Sequence, residues 1–116
     1  MSTQKTSNVT AGKVVSAVQH FTNEDATNKK FNISADIKIF NENGKYVVTA
    51  IEAGQLSKID NQATASCGDF NSNHPTQFHF NSYGLSPEET KEAALAVVDF
   101  ISEVTETVSK SSTVNE

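Results

Sequence analysis

"KFNISADIKIFNENGKYVVTAIEA", residues 30–53, carries the strongest strand signal in the chain. In its first half Phe31, Ile33, Ala35, Ile37 and Ile39 alternate with Asn32, Ser34, Asp36 and Lys38. A period of two gives a strand one dry and one wet face, because successive side chains of an extended chain point to opposite sides. The polar run Asn41 to Gly44 interrupts the pattern, and Asn43-Gly44 accepts the positive φ angles of a tight hairpin turn. Residues 45–53 return as the partner strand. Val47 and Ile51 are expected on one of its faces and Tyr46, Val48 and Ala50 on the other, so both faces read as covered. Gly54 marks a bend or bulge before "QLSKI".

Downstream, "ATASCGDF" (63–70) and "TQFHFNSY" (76–83) read as two further strands joined by the polar "NSNHP". In the second, Phe78 and Phe80 share one face, and Gln77, His79 and Asn81 share the other. "GLSPEET" (84–90) then opens a helix. Ser86 offers an N-cap acceptor, Pro87 has no N–H to lose at the first helical position, and Glu89 completes a capping box. The helix is expected to run to about Val108, with Ala94, Val97, Val98, Ile101, Val104 and Val108 as its apolar stripe. At about 33–36 Å it should overhang strands of ordinary length, about 17–20 Å.

Upstream, Val14, Val15, Val18 and Phe21 recur on one face of a helix over 11–22 capped by Thr10, although "KVVSAVQHF" also suits a strand. The expected architecture is α+β: a short N-terminal helix, a four-stranded antiparallel meander, and a long C-terminal helix packed on one face. Residues 1–8 and 109–116 are expected to be flexible ends of a single domain over 9–108.

Composition narrows the function. A chain of 116 residues fits one domain with one core. Its single cysteine excludes an internal disulfide. The absence of a leader-like or membrane-length apolar run leads to the expectation of a cytoplasmic protein with no membrane partner. The net charge is −5, and all nine cationic side chains are lysines. Arginine is the side chain that grips phosphate and guanine in bidentate fashion. Nucleic acid is therefore not an expected partner. "GLSPEETKEAAL" (84–95) resembles the opening of the second helix of double-stranded-RNA-binding domains through Gly84, Ser86, Lys91, Ala93 and Ala94. The resemblance implies a helix–meander–helix order. The lysine pair that holds phosphate in that family corresponds to Pro87 and Glu88 here, which would repel RNA. Glu88, Glu89, Glu92, Asp99, Glu103 and Glu106 read as the solvated outer face of the helix.

Cys67, Asp69, His74 and His79 are the residues closest to a chemical site. Cysteine and histidine are zinc ligands, and a carboxylate can join them. The spacing C-x6-H-x4-H, however, lacks the close pairs of structural zinc sites. Cys67 continues the apolar side of Ala63 and Ala65 and reads as a small buried hydrophobe. A thiol nucleophile would need a depressed pKa, a base in reach and oxyanion donors. No cofactor is expected. The leading functional reading is an acidic, non-enzymatic interaction module, a homodimer or a binder of another protein, using Tyr46, Val48, Leu95 and Phe100. The alternative is a small-ligand pocket between sheet and helix, with Tyr46, Gln77, His79 and Asn81 as contacts. The third is a metal- or thiol-dependent enzyme built on Cys67, His74 and His79.

Overall fold

The computed structural model describes residues 17–27, 29–60, 63–74 and 77–111. Five strands are followed by one helix: β1 (Val18–Thr22), β2 (Phe31–Glu42), β3 (Lys45–Asp60), β4 (Ala63–His74), β5 (Gln77–Ser82) and α1 (Pro87–Lys110). The strands form one antiparallel sheet in chain order, β1-β2-β3-β4-β5. The fold is α+β, with two corrections to the expected version. The sheet has five strands rather than four, and no N-terminal helix is present among the described residues. Residues 1–8, the first part of the expected helix (11–16), and 112–116 lie outside the described residues.

The extra strand is the segment expected to be helical. Val18 and Phe21, three apart, read as one helical face. In β1 they fall on opposite sides of the sheet: Phe21 is fully buried and Val18 is 51% exposed. Pairing with β2 decides the matter. It sets Phe21 against Ala35 on the inner side and His20 against Asp36 on the outer side, where His20 Nδ1 meets Asp36 Oδ1 at 2.8 Å. A period of two and a period of 3.6 compete in such a short β-branched stretch, and tertiary pairing tips the balance.

Strand β2 follows its alternation, with Phe31, Ile33, Ala35, Ile37 and Ile39 all buried. The turn to β3 has positive φ at both central residues, Asn43 (58°) and Gly44 (87°), as a two-residue hairpin matched to strand twist requires. Strand β3 departs from expectation. Register shifts at Lys38/Ile39 and Ser34/Asp36 insert an extra β3 residue each time. Each β-bulge reverses the alternation. Opposite the inward residues of β2 therefore stand Val48, Ile51 and Leu56, with Tyr46 and Gly54 in the same series. Of the apolar residues expected on two faces, Tyr46, Val48 and Ile51 are thereby gathered onto one, and Val47 and Ala50 are left on the outer face opposite Phe40 and Lys38.

Gly54 is the narrow point of this inner face. It pairs with Phe70 of β4, whose ring lies across it. A Cβ at residue 54 would come within 2.4 Å of the Phe70 carbonyl oxygen and 2.5 Å of its ring. From that position the Phe70 ring reaches Phe100 of α1 and Phe78 of β5, each at 6.3 Å between centroids. Above them α1 lies chiefly over β3 and β2. It begins as the sequence indicates: Ser86 Oγ accepts from the Glu89 N–H at 3.1 Å, and the Ser86 N–H donates to Glu89 Oε1 at 2.9 Å. Its buried stripe is Ala93, Val97, Phe100, Val104 and Val108. The helix is thus turned from the expected setting, so that Phe100 goes in and Val98 comes out, 53% exposed. The expected overhang is also corrected. Strands of 12, 16 and 12 residues extend beneath the last turns, and Val108 is fully buried.

Gly54→Ala is expected to destabilise the domain by about 1–3 kcal/mol, because a methyl group must displace both ring and backbone of Phe70. Urea unfolding should show a lower midpoint at unchanged slope. An unaltered midpoint would mean that Phe70 does not depend on the missing side chain.

Candidate interaction surface

One helix cannot roof five strands. A helix with its side chains is about 10–12 Å wide, whereas neighbouring strands are spaced about 4.7–4.9 Å apart. Two grooves flank α1 as a result. On the β4–β5 side a groove of about 380 Å3 is lined by Tyr46, Val48, Ile51, Ser72, Phe78 and Ile101. Tyr46 and Val48 are half-buried, and Phe78 is 45% exposed. Val98, three residues before Ile101, lies one turn along on the same flank of the helix. On the β1–β2 side a groove of about 410 Å3 includes Phe31, Ile33, Leu95, Ala96 and Phe100. Its mouth carries the Lys30–Glu92 ion pair at 3.1 Å. Lys29 Nζ donates to the carbonyls of Glu24 and Ala26, each at 3.2 Å, and ties that loop to itself.

The four residues of the expected interaction surface are divided by the helix. Tyr46 and Val48 belong to the β4–β5 groove, while Leu95 and Phe100 belong to the other. Leu95 is 56% exposed, but Phe100 is only 3% exposed and packs on Phe70. The expected pocket is divided too. Tyr46 lies on the helix side of the sheet, whereas His79 and Asn81 alternate with Phe78 and Phe80 onto the outer side, paired with Asn71 and Asp69. Asn81 Nδ2 donates to Asp69 Oδ1 at 3.1 Å there. Gln77 shares their parity and is exposed.

One row of the outer side is polar from edge to edge. Thr22, Ser34, Gln55, Asp69 and Asn81 stand in register across all five strands. Beside that row lie the His20–Asp36 pair, a Lys38–Glu52 contact at 3.4 Å and a Ser66–Tyr83 hydroxyl pair at 3.0 Å. An antiparallel sheet can leave one face in water when its apolar side chains all point the other way.

The Cys67, His74 and His79 set does not converge on one face. Cys67 lies in the core at 3% exposure, at a register shift of β4. His79 stands exposed on the outer side, and the side chain of His74 lies outside the described residues. Among the described residues no three His, Cys, Asp or Glu side chains gather as metal ligands. Burial raises the thiol pKa of Cys67, and the nearby Lys58 opposes this. Lys58 reaches from β3 to the Glu89 carboxylate, to which it donates a hydrogen bond. That bond, followed by the one from the Ser86 N–H, holds the Glu89 carboxyl below the usual carboxylate range. Sequence reading missed the flank residues Phe78, Val98 and Ile101. For Val98 and Ile101 the available signal was a helical stripe too wide for a single sheet contact, and for Phe78 it was the face shared with Phe80.

Two outcomes follow from these environments. Cys67 should react with a soluble disulfide reagent far more slowly in the native protein than in urea, since the thiolate is both disfavoured and covered. Equal rates would place Cys67 at the surface. For Glu89, a folded-state pKa below the unfolded one stabilises the protein at neutral pH, and that stabilisation is lost as pH falls through the lowered value. The wild type should therefore exceed Glu89→Gln in urea midpoint at pH 7. The gap should shrink only below about pH 4.3, the ordinary glutamate value. A gap independent of pH would assign the loss to something other than the carboxylate charge.

No described helix is long and apolar enough to cross a membrane. The chain matches no protein-family model, no curated protein and no solved structure.

Proposed function

We propose that this chain is a small, acidic, non-enzymatic interaction module that associates with a second copy of itself on the β4–β5 side of the helix. The observation that carries the reading is uneven cover. Helix α1 lies over β2 and β3, while Phe78 stands 45% exposed beside the half-buried Tyr46, Val48 and Phe80. A contiguous apolar flank of this kind gains free energy when a protein partner covers it. The acids Glu88, Glu92, Asp99 and Glu106 lie on exposed helix positions, where they disfavour approach of an acidic copy from above. We place the module in the cytoplasm, in keeping with the single unpaired thiol of Cys67.

A second reading rests on the same groove. Its volume of about 380 Å3 and apolar lining suit a small apolar ligand, with Tyr46 as the polar handle. Thermal shifts against a panel of small apolar compounds separate the two, because only a ligand site gains stability from one of them.

Light scattering across a concentration series tests the leading reading. A dimer is expected, and Phe78→Ala should weaken it by about tenfold while leaving the circular dichroism unchanged. A wild-type monomer at every concentration sinks the proposal. Aspartate at Leu95 and Phe100 would not serve as the test, because Phe100 is part of the core.

A further inference from the structure

Strand β5 closes the sheet on one side, and its backbone polarity can be read from one hydrogen bond. The Tyr83 N–H donates to the Cys67 carbonyl of β4 at 2.9 Å. Backbone groups alternate sides along a strand just as side chains do. With the unbroken register from His79 to Ser82, the odd residues of this segment face β4. The same parity appears at Asn81, whose carbonyl lies against Gly68 of β4. The N–H and C=O groups of Phe78, Phe80 and Ser82 therefore point to the open edge, where no described residue pairs with them.

Edge strands are normally guarded by lysine, proline, an internal bulge or an inward charge. Gln77–Ser82 carries no lysine, proline or charged side chain, and the one irregularity of its ladder, between Asn71 and His74, places its extra residue in β4. At the opposite edge β1 is shorter. Neither edge strand carries a formal charge, but β1 is followed after Asn23 by Glu24 and Asp25, whereas β5 is followed by the uncharged Tyr83, Gly84 and Leu85 in a chain whose net charge is −5. Two copies thus meet least like-charge repulsion there.

We propose that β5 pairs antiparallel with β5 of a second copy about a two-fold axis at Phe80, joining two five-stranded sheets into one. The proposal rests on the self-association reading above and names its contact. In this register Phe80 faces Phe80 of the second copy, Phe78 faces its Ser82, and Ser82 faces its Phe78. These are the residues with outward N–H and C=O groups, so each pair exchanges two backbone hydrogen bonds. A two-fold pairing requires a patch that complements itself, and an antiparallel edge strand does so. The inner faces of both copies then run together across the seam, with Phe78 and Phe80 of each beside it. On the outer face His79 stands opposite Asn81 of the second copy in a non-hydrogen-bonded pair, whose Cα atoms lie about 4.5 Å apart.

Two paired variants and one amide measurement test this contact. His79→Cys with Asn81→Cys should give a disulfide-linked dimer on a non-reducing gel, since that spacing lies within disulfide reach. Cys67 is buried and should not contribute. His79→Lys with Asn81→Lys sets like charges opposite each other and should yield a folded monomer. In the wild type, hydrogen exchange at the Phe78, Phe80 and Ser82 amides should slow by about tenfold or more as the dimer fills with concentration. A dimer in which those three amides exchange as fast as in dilute monomer, or a cysteine pair that does not cross-link, overturns the edge contact and leaves self-association standing. A monomer at all concentrations overturns both.

Discussion

The ring of Phe70 lying over Gly54 is the contact on which the rest of the structure depends. Phe70 belongs to β4, but its ring occupies the space where a β3 side chain would stand. It touches Phe100 of the helix and Phe78 of the edge strand. A single aromatic side chain thus joins β3, β4, β5 and α1 in one core. Aromatic rings contribute large buried area and prefer tilted or edge-on contacts of this kind. The arrangement needs a residue with no side chain at position 54, and it needs Phe70 on the same face as the apolar residues of β2. Both follow from the bulges in β3.

Those bulges decide which sheet face is apolar. Without them Tyr46, Val48 and Ala50 would oppose Val47 and Ile51, and the sheet would need cover on both faces. With them, Tyr46, Val48, Ile51 and Leu56 lie on the helix side. The outer face carries chiefly Ser, Thr, Asn, Gln and paired charges, with Phe40 and Val47 adjoining near the β2–β3 turn. A two-layer domain with a hydrated sheet face has no reason to stack sheet on sheet. The apolar surface that remains is lateral, at the flank of the helix and along β5. For that reason we place self-association at an edge rather than on a face. On the outer side Phe40 is exposed beside Val47, and Val18 is exposed beside Lys38; apolar exposure on this scale is ordinary and calls for no partner.

The helix start shows how electrostatics and local structure reinforce each other. Glu89 closes the capping box with one carboxylate oxygen and receives Lys58 of β3 with the other. The cap therefore also pins the helix to the sheet. Lys58 lies on the inner side of β3 near Cys67, and its stem is partly covered while its head reaches the helix end. Long cationic side chains often bury their methylenes in this way and keep the charge at the rim.

Features that depend only on neighbours along the chain were legible in the residues alone. The alternation in β2, the Asn43-Gly44 turn, the faces of β5 and the capped start of α1 each need only a few consecutive residues to be specified. Tertiary structure decided the rest. Residues 18–22 became a strand because β2 had an edge to fill and Phe21 a core to enter, although their spacing also suited a helix. The faces of β3 were set by bulges that appear only when its register against β2 is known. The rotation of α1 that buries Phe100 and exposes Val98 was set by Phe70, thirty residues away. The candidate surface inherited these errors, since Phe100 was expected outside and Phe78, although placed with Phe80 on one face, was not counted among the surface residues. The physical reason is the range of the interactions involved. Turn dihedrals and caps are fixed within one or two turns of chain, whereas bulges, edges and helix rotation are fixed by packing between segments that meet only on folding.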